Sequence, residues 1–177
     1  MGIAISSGHG AMVPGSVGIL NEVREVRRVV KRVAKHLREI GVAVKEFHDD
    51  ASATQERNLE TIIGWHNRQG RDWDVSVHLN AFAPTDGPRG TEVYYLSEAN
   101  TAKNVSKAIA RAGGFRNRGG KPGSFAFLRL TEKPAILIEV CFVDSVTDTG
   151  LYEANFDAIC KAIADALATA NYRGEIR

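Results

Sequence analysis

A chain of 177 residues is long enough to bury a core without disulfides or a structural metal, and 44% hydrophobic with 25% charged residues excludes the disordered and fibrous classes. Twenty-three Lys and Arg against 21 Asp and Glu leave a net charge of +2, which argues for no nucleic-acid partner. No apolar run approaches the roughly 18 residues of a membrane span, so no membrane insertion is expected, and Cys141 and Cys160 form no ligand spacing and read as reduced thiols or small core residues.

Met1 leads straight into Gly-Ile-Ala-Ile-Ser, with no basic leader and too short an apolar run for a signal peptide; the expected place is the cytoplasm. Residues 3–6 read as a strand, and the glycine-rich residues 8–18 as irregular backbone. From residue 22 to 40 the apolar positions Val23, Val26, Val30, Val33, Leu37 and Ile40 step by three and four, which predicts a half-buried helix stopped by Gly41. Residues 42–47 predict a strand, 54–67 a helix, 74–78 (DVSVH) a strand, 91–96 (TEVYYL) a strand and 99–112 a helix. Residues 111–124, RAGGFRNRGGKPGS, are glycine-rich and basic and read as a mobile loop. Residues 135–143 (AILIEVCFV) are apolar on both faces but for one glutamate, which marks a central strand covered on both sides, and 151–170 close the chain as an Ala-rich helix. No boundary or repeat interrupts the chain. The alternation predicts one α/β domain over residues 1–177, a twisted, mostly parallel mixed sheet flanked by helices on both faces.

In such sheets function collects at the carboxyl ends of the parallel strands. His9 follows the first strand, His78 ends the third, Glu139 lies late in the central one, and Glu22 opens the first helix. Glu22 and Glu25 compete for the same place. At about 100° per residue Glu22 falls within the apolar arc and Glu25 about 105° from its centre, on the flank, with Arg24, Arg27, Arg28, Lys31, Arg32, Lys35 and Arg38 on the far side. An inward carboxylate at a helix start needs compensation from the helix dipole and a cation. Two histidines and one carboxylate with an open position form the ligand set of a catalytic zinc, and Glu139, kept off the metal, is the candidate acid-base group.

Each residue also has a plainer reading. A lone histidine after a strand is most often a polar loop residue, and a helix-start glutamate a dipole partner; a glutamate inside AILIEVCFV is harder to explain by structure alone. His36 and His66 read as structural. His48, beside Asp49 and Asp50, stands as a supporting residue or a rival ligand. The basic helix face reads either as solvated or as attracted to an anionic partner. Arg116, Arg118 and Lys121 sit where they can contact a substrate.

GHG at 8–10, Glu22 in GILNE, SVHLNA at 76–81, GTEVYYLS at 90–97 and KPAILIEVCFVDS at 133–145 together resemble zinc-dependent N-acetylmuramoyl-L-alanine amidases of the amidase-3 type, nearly end to end and in consistent order. The branch most similar is the catalytic domain of phage or prophage endolysins. The resemblance implies that His9, Glu22 and His78 bind one Zn2+ per chain, that Glu139 is the catalytic glutamate, and that Asn80 orients a ligand or substrate. It also implies peptidoglycan as substrate and a protein held in the cytoplasm until released to the cell wall. Ala11 stands where the family often has a third glycine, which bears on loop shape and leaves the ligands intact. Two other readings use the same residues: another zinc hydrolase of the wall, such as a carboxypeptidase or deacetylase, and a non-catalytic wall-binding module.

Overall fold

The Asn21 side chain accepts from Arg24 N at 3.0 Å and the Thr54 hydroxyl from Arg57 N at 3.3 Å, so two helices begin where N-caps stand in the sequence. These are α1 (Glu22–Glu39) and α2 (Gln55–Asn67) of a computed structural model that describes residues 2–172. The other elements are β1 (Gly2–Ser7), β2 (Ala43–Phe47), β3 (Trp73–Asn80), β4 (Thr91–Tyr95), α3 (Ala99–Gly113), β5 (Asn117–Pro122), α4 (Ala126–Leu130), β6 (Ala135–Phe142) and α5 (Val146–Tyr172). The strands form one six-stranded sheet in the order β2-β1-β3-β6-β4-β5. The pairings β1–β2, β1–β3, β3–β6 and β4–β5 are parallel and β4–β6 is antiparallel, which makes the mostly parallel mixed sheet expected.

Strand alternation divides the core. Val75, Val77 and Leu79 of β3 join Ile136, Ile138 and Val140 of β6 in a large cluster with apolar side chains of α1, α3 and α5. The opposite face carries Ala135 and Leu137 under Ile62 and Ile63 of α2 and Phe127 and Leu128 of α4. Each such Val, Leu, Ile or Phe side chain, fully buried, contributes roughly 1.5–3 kcal/mol. The second layer is short, because α4 is 5 residues long. Beyond it, the same sheet face presents His78, Glu139 and Glu92 side by side, in register across β3, β6 and β4.

Three expectations are corrected. The stretch expected as a mobile loop contains the edge strand β5, built by main-chain pairing to β4; its Gly-Lys-Pro composition hides it from propensity, and an edge tolerates it. The last helix starts at Val146 rather than 151, since Ser145 Oγ accepts from Asp148 N at 3.1 Å, and Asn155 departs from helical angles inside it. Glu25 does not sit on an open flank. It is fully buried because α5 packs there, with Tyr152 donating to it at 3.1 Å and Arg24 and Arg28 adding charge. The small α4 had no counterpart in the sequence reading.

On the basic face of α1, Arg27 pairs with Asp50 at 2.7 Å, Arg32 with Asp157 at 2.6 Å and Arg38 with Glu46 at 3.0 Å. Exposed pairs of this kind contribute about 1 kcal/mol or less and fit a solvated face. Cys141 and Cys160 are buried free thiols. No described helix is long and apolar enough to cross a membrane.

Candidate active site

The carboxyl end of β1 runs into Gly8 and His9, and the loop to α1 returns Glu22 against the end of β3. Glu22 Oε1 accepts from His78 Nδ1 at 3.0 Å and from Leu79 N at 3.1 Å, and Ser16 N donates to Oε2 at 2.6 Å. His9 Nε2 lies 3.5 Å from Glu22 Oε1, and the two histidine rings meet edge to face with centroids 5.1 Å apart. One ligand atom from each of His9, Glu22 and His78 lies within 4.8 Å of the others.

Burial lowers the pKa of His9, which favours the neutral ring with a free lone pair. It would raise that of Glu22, but the His78 hydrogen bond and both imidazoles overcome it and hold the carboxyl below its usual range. His78 shifts up for the reciprocal reason: burial opposes its charge, and the bond to Glu22 with the nearby Glu139 outweighs it. Two imidazoles and a pinned carboxylate, with His9 Nδ1 buried and unpartnered, are a donor set that fits a small divalent cation.

Two glycines make this crowding possible. A Cβ on Gly8 would stand 1.8 Å from His78 Nε2, and one on Gly15 2.6 Å from Glu22 Oε2. The glycine before His9 therefore serves the ring across the sheet.

Glu139 is the register partner of His78. Its Oε2 is buried with no hydrogen-bond partner, and burial, with repulsion from Glu22 and Glu92 only partly offset by His78, pushes its pKa up to about 8. A cleft of about 290 Å3 runs from His9, His78 and Glu139 to an apolar wall that includes Leu59, Phe125 and Phe127.

His9, Glu22, His78 and Glu139 thus come together. Asn80 does not touch His78; its Nδ2 donates to Glu92 Oε1 at 2.8 Å. Arg118 Nε reaches Glu92 Oε2 at 2.5 Å, as does Lys121 Nζ at 2.5 Å, whereas the Arg116 carbonyl accepts from Thr91 N. His48 bonds Ser7 Oγ at 3.0 Å and stands outside the donor set. Glu92 is the residue that sequence reading missed. It carries the signal that singled out Glu139, a carboxylate inside the apolar and aromatic strand TEVYY.

His66 is structural, as expected, although fully buried. Its Nδ1 donates to Asp74 Oδ1 at 2.7 Å, its Nε2 lies 2.9 Å from Ser6 Oγ, and Arg71 Nη2 pairs with Asp74 at 2.7 Å. The order Ser-His-Asp is that of a nucleophile triad, yet none of the three is exposed, so no substrate reaches Ser6. Burial would raise the Asp74 pKa, but His66 and Arg71 hold it below the usual range, while burial lowers that of His66. For both groups the native pKa is depressed, so this stability is present near neutrality and lost in acid, beginning as pH falls below about 6.5. Asp74→Ala, which leaves two buried partners uncompensated, is expected to cost about 3 kcal/mol or more in chemical denaturation at pH 7.

Comparison with known proteins agrees with this architecture. A structure of AmiC2 of Nostoc punctiforme, an N-acetylmuramoyl-L-alanine amidase, superposes with a TM-score of 0.85 at 25% identity, covering 97% of each chain. The catalytic domain of the CD27L endolysin, which targets Clostridia Difficile, gives a TM-score of 0.86 over 96% of this chain and 97% of its own; at 24% identity it speaks for the fold. An uncharacterised protein of Clostridium perfringens is 30% identical over 94% of this chain and 51% of its own length, so the chain spans about half of that curated relative. Residues 3–169 match the amidase-3 family model, described as N-acetylmuramoyl-L-alanine amidase, and with the six-stranded sheet and the His-Glu-His cluster at its carboxyl edge the chain belongs to that family.

Proposed function

We propose that residues 1–177 act as one catalytic unit that hydrolyses the amide between the lactyl group of N-acetylmuramic acid and the L-alanine of the peptidoglycan stem peptide. The observation that carries this reading is the unpartnered, buried carboxyl of Glu139 on the strand next to His78 and its donor set. His9, Glu22 and His78 hold one Zn2+ per chain. Zinc supplies Lewis-acid chemistry there, polarising a carbonyl and lowering the pKa of water to about 7.

Glu139 takes a proton from the attacking water as it adds to the carbonyl carbon, and returns one to the alanine nitrogen as the C–N bond breaks. The products are the lactyl carboxylic acid and the free amine. A carboxyl poised near neutral pH suits both halves of this exchange. Asn80 and Arg118 contact the substrate on the β4 side. The place of action is the cell wall, reached after release from the cytoplasm in the manner of an endolysin.

Digestion of purified peptidoglycan by the zinc-loaded protein, with and without a chelator, tests the reading. Chelator-sensitive appearance of L-alanine amino termini without new reducing ends is expected. Termini at other residues indicate a peptidase, and wall binding without cleavage a binding module. Gly8→Ala places a methyl against the His78 ring, and is expected to lower zinc affinity by about tenfold or more with the far-side core, and hence the far-UV spectrum, unchanged; equilibrium dialysis measures it.

A further inference from the structure

The antiparallel join of β4 to β6 sets Glu92 beside Glu139, and past Glu92 lies a second recess of about 320 Å3. Its lining carries three cations, Arg89, Arg118 and Lys121, against one carboxylate, Glu92. That carboxylate is saturated: Arg118 Nε and Lys121 Nζ both lie 2.5 Å from Oε2, and Asn80 Nδ2 and Tyr94 OH both lie 2.8 Å from Oε1. The cations are not. Among the described residues Lys121 Nζ bonds Glu92 alone, and the only contact of the Arg118 Nη atoms is Nη1 to Arg89 O at 3.5 Å. Both side chains are about a third exposed, at 31% and 35%. Of the nearby carboxylates outside the lining, Asp148 accepts from Arg89 N and Gly90 N, and Asp144 Oδ2 accepts from Phe82 N while its Oδ1 is buried without a partner. The guanidinium groups of Arg89 and Arg118 lie over the Phe142 ring at 5.8 and 5.1 Å, which limits their freedom.

We propose that this recess is the subsite for a free carboxylate on the peptide side of the substrate, with Arg118 and Lys121 as donors and Glu92 as the anchor that aims them. The proposal rests on the amidase reading. Once the lactyl carboxyl is locked in the scissile amide the glycan side is uncharged, so a cationic recess finds its counter-charge on the peptide. The α-carbon of the residue after L-alanine stands about 6 Å from the scissile carbonyl, given about 3.8 Å between successive α-carbons. Strands β4 and β5 lie about 5 and 10 Å from β6 at ordinary spacing. A carboxylate on that residue therefore reaches Arg118 and Lys121 while the amide stays at Glu139.

Two synthetic N-acetylmuramoyl peptides test this, identical except that the α-carboxylate of the second residue is free in one and a carboxamide in the other. For the zinc-loaded protein, kcat/KM is expected to fall about tenfold or more on the carboxamide, chiefly through KM, since charge-assisted hydrogen bonds are lost. Lys121→Met is expected to shrink this ratio to about threefold or less, and Lys121→Arg, which keeps the charge on the same strand, to restore it. Equal rates on both substrates, or a ratio unchanged in Lys121→Met, overturn the subsite while leaving the amidase reading standing. Cleavage of neither at the L-alanine bond overturns both.

Discussion

Glu139→Gln is expected to lower kcat on an N-acetylmuramoyl peptide by about a hundredfold to ten-thousandfold, the range lost with a positioned acid-base group. The isostere keeps the volume of the side chain, and Oε2 makes no hydrogen bond that the change could break. Zinc content is therefore expected to stay near that of the parent protein, and the unfolding midpoint to stay equal or rise. The combination is diagnostic. A scaffold role for Glu139 would move stability and leave turnover, whereas an acid-base role does the reverse. Single-turnover kinetics, metal analysis and denaturation on the same preparation separate the two, and a variant with full turnover would remove Glu139 from the mechanism.

His78→Ala is expected to abolish chelator-sensitive activity and to weaken zinc binding by more than about a hundredfold, since loss even of a residue that merely supports a ligand costs ten- to a hundredfold. His78 is central to the cluster: it donates to Glu22, stacks edge to face with His9 and pairs in register with Glu139. Its removal also leaves Glu22, 2% exposed, without its nearest counter-charge, so the metal-free variant is expected to unfold at lower denaturant than the metal-free parent. Zinc at about a hundred times its dissociation constant stabilises the parent by about 2.7 kcal/mol, and that increment should vanish in the variant. A zinc-dependent shift in midpoint that survives in His78→Ala would mean that the ion binds elsewhere.

The order of the strands and helices other than β5 and α4, the inward face of Glu22 and the oddity of Glu139 were legible in the sequence. These depend on local periodicity, and periodicity records which side of an element meets apolar surroundings. The same reasoning misjudged Glu25, because a helix wheel reveals one apolar arc and is silent on a second helix, here α5, packed on its flank. It also took β5 for a loop, since a glycine-rich edge strand exists through main-chain bonds to a partner and not through its side chains.

What the sequence alone determined, then, is the set of chemical groups and the element on which each rides: one histidine after a strand and another within the end of a strand, a glutamate at a helix start and a glutamate within a buried strand. What only the tertiary structure decided is how they are grouped. The register of β3, β6 and β4 puts His78, Glu139 and Glu92 in one row, although Glu92 and Glu139 lie far apart in the sequence; the antiparallel ladder sets their pairing, and Thr91 Oγ1 donates to Glu139 O at 3.0 Å beside it. Register between strands distant in sequence follows from how whole faces pack, and no local pattern carries that information.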